Sequence, residues 1–99
     1  MNIPALCDAE VLSGLLRVVR LGLVTRSVAR AALDAYSDLP VIRHAHTGLL
    51  GRAFELGTFS AYDAIYVALA ERLGARLLTT DRRLARAVAA TRGIRVRLA

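Results

Sequence analysis

Ser60-Ala61-Tyr62-Asp63-Ala64-Ile65-Tyr66-Val67-Ala68-Leu69-Ala70, stopped at Gly74 and followed by Arg76-Leu77-Leu78-Thr79-Thr80-Asp81, is the stretch that decides the fold. Ser60 can open a helix, the residues after it are apolar nearly all round, and Gly74 can end it. A buried helix is therefore expected from Ser60 to about Leu73. Arg76 to Thr79 then reads as a short buried strand and Arg82 to about Thr91 as another helix. Gly93 ends that helix, and Ile94-Arg95-Val96-Arg97-Leu98 alternates as a terminal edge strand. Strand, helix and strand at this spacing imply right-handed parallel crossovers and an α/β sheet.

Upstream, Pro4 to about Leu21 reads as a helix, with Pro4 in its first turn and Gly22 just past its end. Thr25 can cap a second helix running to about Tyr36, and Ser37-Asp38-Leu39-Pro40 breaks the chain. Val41 to His44 reads as a short strand. A brief helix from Gly48 to Leu56 follows, ended by Gly57-Thr58. Three short strands must then serve five helices, and the chain opens directly with a helix where an α/β domain normally begins with a central strand. The expectation is a single domain over residues 1–99 whose first strand and first helices are absent. The Val41-Ile42 and Leu77-Leu78 strands would then carry unpaired edges, so the chain is expected to dimerise, rearrange or aggregate.

Composition narrows the function. The chain has 99 residues, 56% of them hydrophobic, and a positive mean hydropathy, as expected for a packed globule of one domain. No apolar run is long enough for a membrane span, and no basic segment followed by an apolar one marks a secretory signal. The single cysteine, Cys7, cannot form an internal disulfide. It reads as a small buried apolar residue in a cytoplasmic protein. The net charge of +6 comes from fourteen arginines against eight acids, with no lysine at all. Coding bias in a GC-rich genome is one reading of arginine over lysine and phosphate recognition by the planar guanidinium is another, and the sign of the charge favours a polyanionic partner bound in a salt-sensitive way.

In so basic a chain, acids set in apolar sequence call for a reason. Asp63 lies three residues after Ser60, the spacing of a capping box in which the acid returns a bond to the Ser60 amide. Its neighbours Tyr62, Ile65, Tyr66 and Val67 add a second requirement, because a buried carboxylate needs a partner such as a cation. Asp81 can be the N-cap of the helix beginning at Arg82, yet it also stands at the carboxyl end of a strand, where open α/β sheets place ligand sites. Thr79 and Thr80 add hydroxyls able to orient a water or a phosphate oxygen. Glu10 lies about one turn into the first helix, with Gly14 and Arg17 on the same side; Asp8 points elsewhere and reads as surface charge. Clustered acids in a positive protein suit a hard divalent cation acting on phosphate esters. His44 and His46 would share one side of an extended segment, but nothing completes a zinc site with them, and they read as a strand exit. No serine triad, P-loop or glycine-rich dinucleotide fingerprint is present.

Three segments together, Pro4-Ala5-Leu6-Cys7-Asp8-Ala9-Glu10-Val11-Leu12, Ala61-Tyr62-Asp63-Ala64-Ile65-Tyr66-Val67-Ala68-Leu69-Ala70 and Leu77-Leu78-Thr79-Thr80-Asp81-Arg82-Arg83-Leu84-Ala85, resemble the VapC-type toxins of the PIN-domain ribonuclease family. Leu39 to His46 is similar to that family's middle strand and its exit. The resemblance implies an α/β PIN-like domain with a short parallel sheet flanked by helices. It also implies an endoribonuclease dependent on Mg²⁺ or Mn²⁺, held inactive by a cognate VapB-type antitoxin. Carried over by position, Glu10, Asp63 and Asp81 match three of the family's four acidic metal-site residues, and these would be both the metal ligands and the catalytic groups. Thr79 sits where the family often carries a hydroxyl, and Arg82 and Arg83 are the arginines nearest in sequence to guide an RNA backbone. The family's first acid, an aspartate on an N-terminal strand, has no counterpart here. That departure leaves open whether the chain cleaves RNA or acts as a non-catalytic module that binds an antitoxin or itself.

Overall fold

The computed structural model describes every residue except Thr58 and Arg92. The chain divides into two compact units, Met1–His44 and Ala45–Ala99.

The first unit begins with a strand, β1 (Asn2–Pro4), followed by α1 (Leu6–Arg20), α2 (Arg26–Ser37) and β2 (Ile42–His44). The expected helix from Pro4 thus starts two residues later, and the chain opens on a strand, giving four strands instead of three. Pairing decides this. β1 lies parallel to β2 in the register Asn2 to Ile42, Ile3 to Arg43 and Pro4 to His44, and the Ala5 amide donates to the His44 carbonyl at 2.8 Å. Pro4 lacks an N–H, which a strand with one open edge tolerates. Thr25 caps α2 as expected, its hydroxyl accepting from the Val28 amide at 3.2 Å. Ile3, Pro4 and Ala29 are the buried apolar residues of this unit. Leu12, Leu21, Leu23, Val28 and Ile42 are exposed.

Asp8 is a further correction. Far from being loose surface charge, its carboxylate accepts the Tyr36 hydroxyl at 2.6 Å and the Arg43 Nε at 2.8 and 2.9 Å. It thereby ties α1 to α2 and β2. These bonds hold the Asp8 carboxyl below its usual range, the Tyr36 bond foremost, while burial together with Asp8 pushes the Tyr36 hydroxyl up. Cys7 is half-buried.

The second unit carries the main core. A 3₁₀ turn (Thr47–Leu49) leads into α3 (Leu50–Glu55), then α4 (Ala61–Leu73), β3 (Arg76–Thr79), α5 (Arg82–Ala89) and β4 (Arg95–Leu98). The expected helix terminator at Gly57-Thr58 falls in part on Thr58, outside the described residues. β3 and β4 pair in parallel, Arg76 to Arg95 through Thr79 to Leu98, with α5 as the crossover. Leu49, Val67 and Val88 are fully buried, and Ala64, Ala68, Leu69, Leu77 and Ile94 close around them. Gly74, at φ +59°, gives α4 a left-handed end, and the Ala75 amide reaches back to the Ala70 carbonyl at 3.0 Å. An L side chain would be strained there, which is why glycine ends the helix. Arg52 on α3 clasps Glu71 on α4 through two bonds of 2.7 and 2.8 Å. Arg72 of α4 also donates to the Gly48 carbonyl.

Candidate active site

Within the second unit, Asp63 and Asp81 are placed by α4, β3 and α5. α4 packs on β3, and the two residues Gly74 and Ala75 join them. Asp63 stands in the first turn of α4, half-buried, and Asp81 joins β3 to α5.

Only half of the capping box at Ser60 forms. The Ser60 hydroxyl accepts from the Asp63 amide at 3.1 Å. Among the described residues nothing pairs with the Asp63 carboxylate itself. A half-buried carboxylate beside Ala64 and Val67, without a side-chain partner among the described residues, is free to meet a cation.

Asp81 is the N-cap of α5. Its Oδ1 accepts from the amides of Arg83 at 2.9 Å and Leu84 at 3.2 Å, leaving Oδ2 outside the cap. Capping and metal ligation are thus compatible in one side chain, with one oxygen for each. The Thr79 hydroxyl accepts from the Asp81 amide at 3.0 Å, so it fixes the turn that presents Asp81. Arg82 and Arg83 begin α5 and are exposed, and no acidic partner meets either among the described residues. Cations at a helix amino end oppose the helix dipole, so these two are not there for the stability of α5.

Glu10 belongs to the first unit, exposed in the second turn of α1. Glycine at position 14 leaves open space where a side chain would stand. His44 approaches Asn2, its Nε2 lying 2.9 Å from Oδ1, which agrees with a strand-exit role. Among the described residues, no three His, Cys, Asp or Glu side chains gather closely enough to hold a metal by themselves. What the second unit offers is a pair of carboxylates, all-oxygen donors of the kind Mg²⁺ and Mn²⁺ prefer. The donor chemistry fits such an ion, and a third acid would strengthen it.

A PIN-domain profile matches residues 2–90. The chain belongs to the PIN-domain family, and its relatives place it among the VapC-type members. Ribonuclease VapC3 of Mycobacterium tuberculosis is 49% identical over 88% of this chain and 64% of its own length. Ribonuclease VapC9 of the same organism is 41% identical over 85% of this chain and 67% of its own. The crystal structure of PAE2754 from Pyrobaculum aerophilum superimposes with a TM-score of 0.69 at 32% identity, covering 96% of this chain and 65% of that one. The chain thus spans about two thirds of the length of these relatives.

Proposed function

We propose that this chain is the toxin of a type II toxin–antitoxin pair, an endoribonuclease that cleaves RNA with Mg²⁺ or Mn²⁺ held by Glu10, Asp63 and Asp81. The observation that carries the reading is the Asp63 carboxylate, half-buried and unpaired among the described residues at the mouth of an apolar helix. A bound divalent ion supplies an activated water and charge stabilisation on the leaving oxygen of a phosphodiester. The chain's own groups do the rest. Asp63 and the Oδ2 of Asp81 offer charge to the ion, while Oδ1 and the Thr79 hydroxyl hold the Asp81 turn rigid. Arg82 and Arg83, next to Asp81 in the chain, attract the RNA backbone. Glu10 is the third acid of the proposed set.

The relatives' names speak for ribonuclease chemistry, and a VapB-type antitoxin is the partner that goes with it. The reading places the action on RNA in the cytoplasm; among the described residues no helix is long and apolar enough to cross a membrane. The test is RNA cleavage by the purified chain with Mg²⁺, with Mn²⁺ and in EDTA, against Asp63→Asn. Metal-dependent cleavage that disappears in the variant supports the reading. Cleavage unchanged in the variant or in excess EDTA refutes it.

A second reading has its own observation. Each unit holds a two-stranded parallel sheet whose strands pair on one edge only among the described residues, and parallel sheets are ordinarily covered on both faces. That favours an interaction module that self-associates, as a homodimer, or docks an antitoxin without turnover. Oligomerisation with no metal-dependent cleavage at any concentration would select it.

A further inference from the structure

The β3–β4 sheet carries a basic face that the carboxylate site does not use. In the parallel register Arg76 stands opposite Arg95, and Leu78 opposite Arg97, so these four side chains share one face. Leu77 and Val96 share the other face and join the core. α5 packs on that second side, where Ala85 and Ala89 meet Val96 and Leu98 around a shallow recess. On the first face Arg76, Leu78, Arg95 and Arg97 line an open depression, and all four are exposed, Leu78 at 61%.

Like charges side by side on neighbouring strands repel one another. Here two arginines face each other and a third follows, and no acid pairs with any of them among the described residues. The Arg95 Nη2 is instead tied to the Gly74 carbonyl at 2.8 Å, which fixes one guanidinium at the amino end of the strands. Arg97 stands two residues further along, about 6–7 Å at the rise of a strand. The basic track therefore runs toward the strands' carboxyl end, the end that bears Asp81.

We infer that this face is a binding track for the phosphodiester backbone of single-stranded RNA, with Leu78 offering apolar contact to a base between the arginines. The inference rests on the RNA-directed reading above and adds where the strand lies. Charge complementarity selects the occupant, because three neighbouring guanidiniums without an acidic partner among the described residues suit the phosphates of a nucleic-acid backbone.

The test measures binding of a fluorescent single-stranded RNA to the full chain by anisotropy, in EDTA so that no cleavage occurs, as a function of salt. Arg97→Gln, Arg76→Gln and the triple variant with Arg95→Gln are compared with a control of equal net charge, Arg17→Gln/Arg20→Gln/Arg26→Gln. Thermal melts confirm that each is folded, and the Arg97→Gln single variant leaves the Arg95 tie to Gly74 intact. The triple variant is expected to bind on the order of tenfold more weakly, with the control close to the parent. Its slope of log K against log salt should flatten by about 0.7 for each phosphate no longer neutralised. Equal weakening in the control, or none in the triple variant, overturns the track and leaves the arginines as charges that keep an open sheet from aggregating. Binding of poly-glutamate with the same arginine dependence and comparable affinity also overturns it, in favour of an acidic protein partner. Arginine-dependent binding in a chain that fails to cleave would refute the catalytic reading alone.

Discussion

Asp81 serves two ends at once, and two substitutions separate them. Asn at an N-cap accepts backbone amides as well as Asp does, so Asp81→Asn keeps the bonds to Arg83 and Leu84 while removing the charge. Asp81→Ala removes both. Loss of such a cap costs about 1 kcal/mol, and for a domain of this size that lowers Tm by about 4–8 °C. A divalent ion present at about ten times its Kd adds about 1.4 kcal/mol of stability to the folded state. Circular dichroism melts in EDTA and in Mg²⁺ read both effects. In EDTA, Asp81→Asn should melt with the parent and Asp81→Ala several degrees lower. In Mg²⁺ the parent should rise by about 5–10 °C, and both variants should forfeit most of that rise. A full Mg²⁺ response in Asp81→Asn would show that the carboxylate charge has no part in metal binding. An Asp81→Ala melt equal to the parent's would show that the cap adds no stability.

Three further outcomes follow from the packing. Ser60→Ala should cost about 1 kcal/mol through loss of its bond to the Asp63 amide, read as a shifted urea midpoint at unchanged slope. Leu49→Ala, at 1% exposure in the core of the second unit, should cost about 2–5 kcal/mol, and a cost under about 1 kcal/mol would contradict the buried position. Glu71 is held below its usual 4.5 mainly by its bonds to Arg52. Its contribution is complete above that value and is lost as the pH falls through the lowered folded one, so the urea midpoint should drop on acidification below about pH 4.5. Glu71→Gln should flatten that drop, and an unchanged acid limb in the variant would refute the assignment.

The second half of the chain is legible in the sequence because local signals agree there. Ser60, Gly74 and Asp81 are caps whose chemistry lies within a few residues of themselves, and they set both ends of α4 and the start of α5, although α5 stops at Ala89, two residues short of the expected Thr91. β1 escapes such a reading because Asn2–Pro4 has no pattern of its own and Pro4 equally suits the first turn of a helix. Its strand exists through a partner forty residues away. Asp8 reads wrongly as loose charge for the same reason, since Tyr36 and Arg43 lie 28 and 35 residues further on. At the site, Asp81 as a cap is visible in the sequence, but the half-formed capping box is not. The spacing of Ser60 and Asp63 permits both bonds, and only the fold shows the carboxylate left over. The arginine track is hidden by pairing, because Arg76 shares a face with Arg95 and Arg97 only once the register is known.

If the acids at positions 10, 63 and 81 grip one divalent ion, isothermal titration of Mn²⁺ shows it most directly. The parent chain is titrated beside Glu10→Gln, Asp63→Asn and Asp81→Asn. One site per chain is expected in the parent, with affinity lowered at least about tenfold in each single variant, in line with the loss of a charged ligand. Parent-like affinity in any of the three would remove that residue from the site, and no binding by the parent would contradict the metal centre as a whole.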